Sequence, residues 1–248
     1  MERSAYIDIQ KIEEIHWWYV VRRFIVRLVL DKYIDGRKNK VLEIGCGFGG
    51  NLELFSKYGN VDAVEMDSGA KKYAKNRGIG DIKSGYLPNN MPGYKYKFDL
   101  ICLLDVLEHI DDDKKSIQYL NGQLTNKGCL LITVPAYMFM WSDHDVVNHH
   151  KRRYTRKQLA NLMEENGYDI VYSTYFNTIL FPIMFITRLI NKIFHKKNQG
   201  DFDMPKLWIN TILTKIFSIE RAVVPLTSFI FGGSILFLCK KNSVVCNY

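Results

Sequence analysis

The feature of this sequence that most constrains its fold is a short apolar run that ends in closely spaced glycines. Residues 40–45 have the pattern of a buried strand, and Glu43–Gly50 reads EIGCGFGG before a helical pattern begins at Leu52. Glycine lets a backbone turn sharply and pass close to a ligand, because it has no Cβ to collide. A strand, a glycine loop and a helix in this order predict a site for a nucleotide-type ligand.

Strand-like and helix-like segments alternate along most of the chain. Helical patterns separate most of the apolar, strand-like runs, which are residues 40–45, 61–65, 98–104, 129–134, 170–175 and 234–238. This alternation predicts an α/β fold with a parallel, doubly wound sheet. Right-handed crossovers place the loops after the strands at one edge of such a sheet, and we expect ligands to bind there.

Capping signals mark where several helices begin. Ser68 is the predicted N-cap of one helix, and Thr155 with Gln158 forms a capping box for another. Acidic residues 111–113 favour a third helix start, since the helix dipole attracts negative charge there. We expect that third helix to end near residues 126–128.

Residues 176–225 interrupt the alternation with apolar helical material. An apolar stretch at residues 179–186 is followed by basic residues, and a second amphipathic stretch covers residues 207–219. Three interpretations are open: a lid over the site, helices lying on a bilayer surface, or an extra pair of core-packing helices.

Composition places the chain among globular proteins. Its 248 residues are 47% hydrophobic and 24% charged, enough for one large core. We expect a single domain over residues 1–248, with an N-terminal helical cap at 1–36 and a helical insertion at 176–225. The net charge of +8 is modest, so no nucleic-acid partner is predicted. Because residues 151–200 hold most of this excess, they suit an anionic partner such as a phosphate, a carboxylate or a lipid headgroup.

Cysteine usage and the N-terminus predict a cytoplasmic protein. The five cysteines form no CxxC pair, which is typical of reduced thiols. The first residues lack the order of a signal peptide, and no charge-free apolar run has clear transmembrane character. Peripheral contact with an anionic membrane surface at its inner face is an additional option.

A carboxylate stands where an adenosine site needs one. Glu65 ends the second predicted strand, where it can accept hydrogen bonds from ribose hydroxyls. The spacing of Gly45, Gly47 and Gly50 also satisfies the dinucleotide fingerprint. A nicotinamide-dependent oxidoreductase is therefore an alternative on spacing alone.

Four segments together resemble class I S-adenosylmethionine-dependent methyltransferases of the methyltransferase-domain type. VLEIGCGFGG at residues 41–50 is similar to the family's first motif, and AVEMD at 63–67 to its ribose-binding strand end. FDLICLLDVLEHIDD at 98–112 looks like the fourth motif, and GCLLITVP at 128–135 like the strand after it. The resemblance implies a Rossmann-like sheet of seven strands with the last strand antiparallel.

The resemblance also implies S-adenosyl-L-methionine as the cofactor. It places Glu65 at the ribose hydroxyls, Met66 and Leu87 against the adenine, and Asp105 near the methionine end. In a subset of the family a helix before the sheet closes over the cofactor, and there Arg22 would be available to the cofactor carboxylate. The complete set of expected cofactor-binding residues is Arg22, Glu43, Gly45, Cys46, Gly47, Glu65, Met66, Leu87 and Asp105.

Ionisable residues cluster after the fifth predicted strand, on the ligand edge. Methylation of a hydroxyl requires removal of a proton, and histidine is the usual base near neutral pH. The candidate bases are His109, His144 and His149. The candidate acceptor-binding residues, whose arginines would orient an anionic group, are Trp141, Asp145, Arg152, Arg153 and Tyr154.

The acceptor is the least determined part of the predicted function. The segment 141–154 resembles that of methyltransferase-domain proteins associated with bacterial glycan and lipid-linked sugar assembly, so we expect O-methylation of a sugar or lipid-linked saccharide. The alternatives are O-methylation of a polyprenyl quinol or other small hydrophobic phenol, the oxidoreductase, and a non-catalytic binding module. His144, Asp145 and His149 match no strong metal-ligand spacing, so no metal site is predicted.

Overall fold

A seven-stranded sheet forms the centre of the described part of the chain, which in the computed structural model comprises residues 9–36, 39–194 and 204–242. The strands are β1 (Asn39–Ile44), β2 (Gly59–Glu65), β3 (Asp81–Ser84), β4 (Phe98–Leu104), β5 (Leu124–Pro135), β6 (Tyr168–Phe176) and β7 (Ser234–Lys241). The helices are α1 (Trp17–Tyr33), α2 (Leu52–Ser56), α3 (Ser68–Asn76), α4 (Asp113–Gln123), α5 (Asp143–Val147), α6 (Arg156–Glu164), α7 (Phe181–Ile193) and α8 (Leu207–Ser218). Three short 3₁₀ helices occupy Leu107–His109, Met138–Met140 and Ile219–Ala222.

The strand order confirms the predicted fold class. The sheet runs β3-β2-β1-β4-β5-β7-β6, with β7 antiparallel to both of its neighbours and the other pairs parallel. This is the Rossmann-like sheet with the last strand antiparallel. The order reverses between β1 and β4, and in doubly wound sheets the ligand crevice lies at such a switch point.

The central strands read as continuous apolar runs because both faces of the sheet are covered. In β4, Leu100, Cys102 and Leu104 belong to one buried cluster, while Ile101 and Leu103 belong to the other. Alternate side chains therefore enter two separate cores, one on each face. This packing fixes the register of β4 and holds the loop that follows it in place.

Three local predictions differ from the structure, and one is confirmed. β3 was not predicted, and β5 begins at Leu124, where the preceding helix was expected to continue. The N-cap of α3 is Asp67, whose carboxylate accepts from the Ala70 amide at 2.8 Å, so the assignment to Ser68 was wrong. The capping box that starts α6 is present as predicted.

The N-terminal segment and the insertion pack against each other. The Asn210 side chain in α8 accepts from the Trp17 amide at 2.8 Å and donates to the Ile15 carbonyl at 2.9 Å, which satisfies polar groups at the start of α1. The Trp17 ring also contacts Phe217, with ring centroids 5.7 Å apart. These contacts hold α1 where it covers the carboxyl edge of the sheet.

The first helix of the insertion, α7, has no fully buried side chain, unlike α8. α7 therefore meets the core only through partly buried side chains such as Met184, and its outer face is exposed. Part of the predicted insertion, residues 195–203, lies outside the described residues. Across the described ranges, no helix combines the length and the apolar character that crossing a bilayer requires.

Candidate active site

One cavity of about 1120 Å³ opens at the carboxyl edge of the sheet, next to the switch point. The glycine loop after β1 and the end of β2 form one part of its wall. The segment after β4 and the segment around α5 form another, and α1 and α7 contribute side chains from above. The predicted cofactor side and the predicted acceptor side therefore share one space.

The glycine loop turns its backbone toward this space. Gly45 has φ +69°, and a Cβ there would lie 2.7 Å from Val106 Cγ2, so the close approach of the two loops requires glycine. Gly47 has φ +54°, and a Cβ there would meet no atom within 4 Å. The wall at Gly47 thus borders open volume, as a loop that receives a ligand must.

Glu65 connects the end of β2 to the glycine loop. Its carboxylate accepts from the Gly47 amide and from the Asp67 amide, both at 2.8 Å, and the side chain is only 2% exposed. Glu65 therefore shapes the loop and also lines the cavity. Both properties suit a carboxylate that faces ribose hydroxyls.

A pair of opposite charges lies further along the cavity. Arg22, which is buried, forms an ion pair with the partly buried Asp105, and its guanidinium lies over the Trp18 ring at 4.7 Å from the centroid. Asp105 has φ +58°, a conformation that non-glycine residues adopt rarely. A cation and an anion side by side complement an α-amino acid group, which carries both charges.

Arg77 connects the N-terminal segment to the glycine loop through an ion pair and a hydrogen bond. Arg77 pairs with Glu13 at 2.7 Å and donates through Nε to the Phe48 carbonyl at 2.6 Å. Burial raises the pKa of the Glu13 carboxyl above its ordinary value. These contacts link the segment before α1 to the loop, so they hold Arg22 over the site.

The other expected cofactor residues are distributed unevenly. Cys46, Met66 and Leu87 line the cavity, with Met66 71% exposed and Leu87 buried. Glu43 does not belong to the cavity lining found among the described residues. It lies beneath the loop, accepts from Asn51 Nδ2 at 2.8 Å, and has its pKa raised to about 8 by burial.

The three candidate bases all line the cavity, in different surroundings. His144 lies in α5, whose first turn is held by a capping box. His149 is exposed, with φ +55°. Burial, assisted by the neighbouring His150, lowers the pKa of His109 to about 3, so this ring is neutral near pH 7.

Asp145 and Arg153 form a buried pair inside the loop. Arg153 donates to the two Asp145 oxygens through Nε at 2.7 Å and Nη2 at 3.0 Å, while Ser142 and His150 supply further hydrogen bonds. Burial alone would raise the pKa of Asp145, but the bonds from His150 and Arg153 hold it well below its usual range. The pair therefore organises the loop, and the predicted contact of Asp145 and Arg153 with the acceptor stays a prediction.

Three further candidates lie away from the cavity. Arg152 forms an ion pair with Asp113 at 2.8 Å, and the Tyr154 hydroxyl donates to the same carboxylate at 2.8 Å. Neither of them lines the cavity formed by the described residues, and Trp141 does not either. The structure thus brings the bases together with the cofactor residues, and only Arg153 of the five acceptor candidates reaches the cavity wall.

Glu108 and His150 line the cavity as well, although neither is among the site residues chosen from the sequence, where His150 was noted only as the neighbour of His149. Glu108 is completely buried, and the His150 ring lies 4.6 Å from the His109 ring in an edge-to-face arrangement. The His149-His150 pair and the acid beside His109 were visible as local signals. Their proximity depends on two loops that meet only in the folded chain.

Part of the chain is similar in sequence to known transferases. A family model described as a methyltransferase domain matches residues 14–173, well over half of the chain. The ubiquinone biosynthesis O-methyltransferase of Actinobacillus pleuropneumoniae serotype 7 is 31% identical over 128 residues, covering 44% of this chain and 55% of that protein. The tRNA U34 carboxymethyltransferase of Campylobacter hominis is 28% identical over 124 residues, covering 48% and 42%. The chain spans about half the length of these curated relatives.

A solved structure gives the same fold. Magnesium protoporphyrin IX methyltransferase from Synechocystis PCC 6803, with bound SAH, has a TM-score of 0.53 and 12% identity, and the alignment covers 90% of this chain and 82% of that one. The family match favours methyl transfer over the nicotinamide-dependent oxidoreductase that the glycine spacing also allowed. The open glycine loop, Glu65 and the Arg22–Asp105 pair fit S-adenosyl-L-methionine. The chain belongs to the methyltransferase-domain family.

Proposed function

We propose that the protein methylates a hydroxyl of an amphiphilic acceptor, a sugar or lipid-linked saccharide, with His144 as the base. The observation that carries this proposal is the single cavity shared by the glycine loop, Glu65 and the histidines. A base and a methyl-donor site must meet in one space if a hydroxyl is to be methylated.

In this proposal, one group of side chains binds the cofactor and another side chain removes the proton of the acceptor hydroxyl. Glu65 would hold the ribose hydroxyls, and Arg22 and Asp105 would hold the charged amino acid end of the cofactor. When bound, S-adenosyl-L-methionine supplies a methyl group on an activated sulfonium. His144 would accept the hydroxyl proton at an imidazole nitrogen as the acceptor oxygen is methylated.

We expect Glu65→Gln to weaken binding of S-adenosylhomocysteine about thirtyfold. The amide keeps the size of the side chain, but it removes the charge and replaces one accepting oxygen with a donor. Isothermal titration calorimetry measures the affinity, and thermal unfolding without ligand shows whether the variant folds. Asp62→Asn is the matched control, because its carboxylate lies on the same strand and bonds the exposed Tyr96. Equal affinity in wild type and Glu65→Gln would contradict the ribose role.

A hydrophobic phenol is the second candidate acceptor. The relative named as a ubiquinone biosynthesis O-methyltransferase supports it, although that match covers less than half of this chain. The relative named as a tRNA U34 carboxymethyltransferase bears on the expectation of no nucleic-acid partner, which stays a prediction.

Labelled cofactor distinguishes these acceptors. The protein would be incubated with a bacterial lipid extract, a lipid-linked saccharide, a polyprenyl quinol and a tRNA transcript, each with methyl-labelled S-adenosyl-L-methionine. Product mass and linkage analysis should locate the label on a saccharide oxygen. Label on the quinol alone would favour the second candidate, and label on tRNA alone would contradict both.

The outer surface of α7 supports an acceptor that is reached at a membrane. Ile183, Ile186 and Ile190 are 61%, 53% and 44% exposed and lie at i, i+3 and i+7 on one helix face. Arg188, on the same helix, lines the cavity and donates to the Met140 carbonyl. The described residues 177–194 and 204–219 contain basic side chains and no acidic one. An apolar face with positive charge complements an anionic lipid surface.

Replacing Ile183, Ile186 and Ile190 together with serine should weaken vesicle binding at least about tenfold, because each change removes apolar area that would enter the interface. Cosedimentation with vesicles of phosphatidylglycerol and phosphatidylcholine measures it. Val171→Thr, an exposed apolar residue on β6, is the control. Since α7 has no fully buried side chain, the triple variant should fold normally. Absence of vesicle binding by the wild type would make α7 a cover for the site rather than a membrane contact.

A further inference from the structure

Three side chains at the acceptor end of the cavity bring metal-binding atoms together. Glu108 and His109 come from the 3₁₀ helix after β4, and His150 follows α5. One potential ligand atom from each residue lies within 4.8 Å of the other two, and all three residues line the cavity. Two imidazole nitrogens and one carboxylate oxygen form a donor set that is known to bind divalent transition metals.

Glu108 supplies an independent observation that points to a ligand. Its side chain is completely buried, and neither carboxylate oxygen has a hydrogen-bond partner in the described part of the chain. Burying an ionised carboxylate destabilises the folded protein unless the carboxylate is hydrogen-bonded, ion-paired or bound to a metal. His150 Nε2 lies 4.0 Å from Glu108 Oε1.

The hydrogen bond on the other side of His150 determines what faces Glu108. His150 Nδ1 lies 2.8 Å from an Asp145 oxygen. Because Asp145 is ion-paired with Arg153 and accepts from its other partners, Nδ1 is the donor in this contact. In the neutral ring, Nε2 then presents a lone pair to the Glu108 carboxylate. Two electron-pair donors that face each other in this way need a proton or a metal ion between them.

We propose that Glu108, His109 and His150 bind one divalent transition metal ion, with Zn²⁺ as the best match to this donor set. Three protein ligands leave at least one coordination position toward the cavity, as in catalytic zinc sites. Asp145 would orient His150 from behind, as carboxylates do for metal-bound histidines. Mg²⁺ and Ca²⁺ fit less well, since they prefer ligand sets made of oxygen alone.

This inference rests on the proposed function in one respect, the role given to the open position. A bound ion there would bind an acceptor oxygen and orient it beside His144, whose ring lies 6.0 Å from that of His150. The ion would act by binding and polarising, without a change of its oxidation state. The expectation of no metal came from the spacing of His144, Asp145 and His149, and the three ligands proposed here form a different set.

Cobalt titration of the chelator-treated full chain tests the site without an acceptor. We expect one Co²⁺ per chain, with visible absorption bands of a low-coordinate nitrogen and oxygen site, and its displacement by Zn²⁺. Glu108→Gln and His150→Ala should each weaken Co²⁺ binding at least about hundredfold, while His149→Ala should leave it within threefold. Calorimetry with S-adenosylhomocysteine on every variant checks that the fold is intact.

The outcomes separate this site from the proposed function. A Co²⁺ site that depends on Glu108, combined with failure of methyl transfer to any hydroxyl, would keep the metal site and remove the O-methylation. Methyl transfer at full rate by metal-free protein that takes up no Co²⁺ would overturn the metal site alone. If Glu108→Gln fails to fold, the wild-type titration decides, because absence of stoichiometric binding contradicts the proposal.

Discussion

Replacing Asp145 with asparagine should destabilise the folded protein by about 3 to 5 kcal/mol, because it leaves the Arg153 guanidinium buried without a counter-charge. Arg153 is 5% exposed and Asp145 is completely buried, so water cannot replace the lost partner. Urea unfolding followed by tryptophan fluorescence measures the change. The difference in free energy of unfolding between the wild type and Asp145→Asn should shrink as the pH falls below about 4. The reason is that the pKa of Asp145 is lowered in the folded state, so protonation of the wild-type carboxyl opposes folding at acidic pH.

Two further variants test whether the lost stability comes from the unpaired charge of Arg153. The double replacement of Asp145 by leucine and Arg153 by methionine removes both charges, and we expect it to recover most of the lost stability. Glu164→Gln changes an exposed acid on α6 and should shift the free energy of unfolding by less than about 0.5 kcal/mol. If Asp145→Asn unfolds within about 1 kcal/mol of the wild type, the pair does not stabilise the loop as described.

The fold could be predicted where burial leaves a continuous apolar run. β4 reads FDLICLL because both of its faces are covered, so it stands out against the helices around it. β3 could not be found in this way. It has four residues at the edge of the sheet, and only Ile82 among them is buried. β5 was predicted to begin too late because no turn residue separates Gln123 from Leu124.

The cofactor side of the site could be predicted from short sequence motifs, whereas the acceptor side depends on contacts between distant segments. Gly45, Gly47 and Glu65 lie at the ends of two successive strands, so motif spacing alone brought them together. The role of Arg153 depends on which groups surround it, and a sequence does not show that Asp145 faces it inside the fold. Glu108 and His150 are equally hidden, because β5 and the loop after it separate them along the chain.

His144→Gln should lower the turnover number at least about a hundredfold, because the acceptor hydroxyl would lose the group that removes its proton. Glutamine cannot accept that proton but keeps a polar side chain of similar reach. α5 is held by the capping box of Ser142 and Asp145, so His144 is positioned on a fixed element. The measurement is transfer of labelled methyl to the acceptor identified with labelled cofactor, at saturating concentrations of both substrates. Affinity for S-adenosylhomocysteine should stay within threefold of the wild type.

His149→Ala distinguishes the two cavity histidines that the sequence left as alternatives. His149 is exposed on a loop, whereas His144 is held in a helix, so we expect only His144→Gln to lose turnover by two orders of magnitude. Val146→Ser is the control on the same helix, since its side chain is 60% exposed and does not line the cavity formed by the described residues. A hundredfold loss in His149→Ala with near-normal turnover in His144→Gln would transfer the role of base to His149. Near-normal turnover in both variants would mean that neither histidine removes the proton.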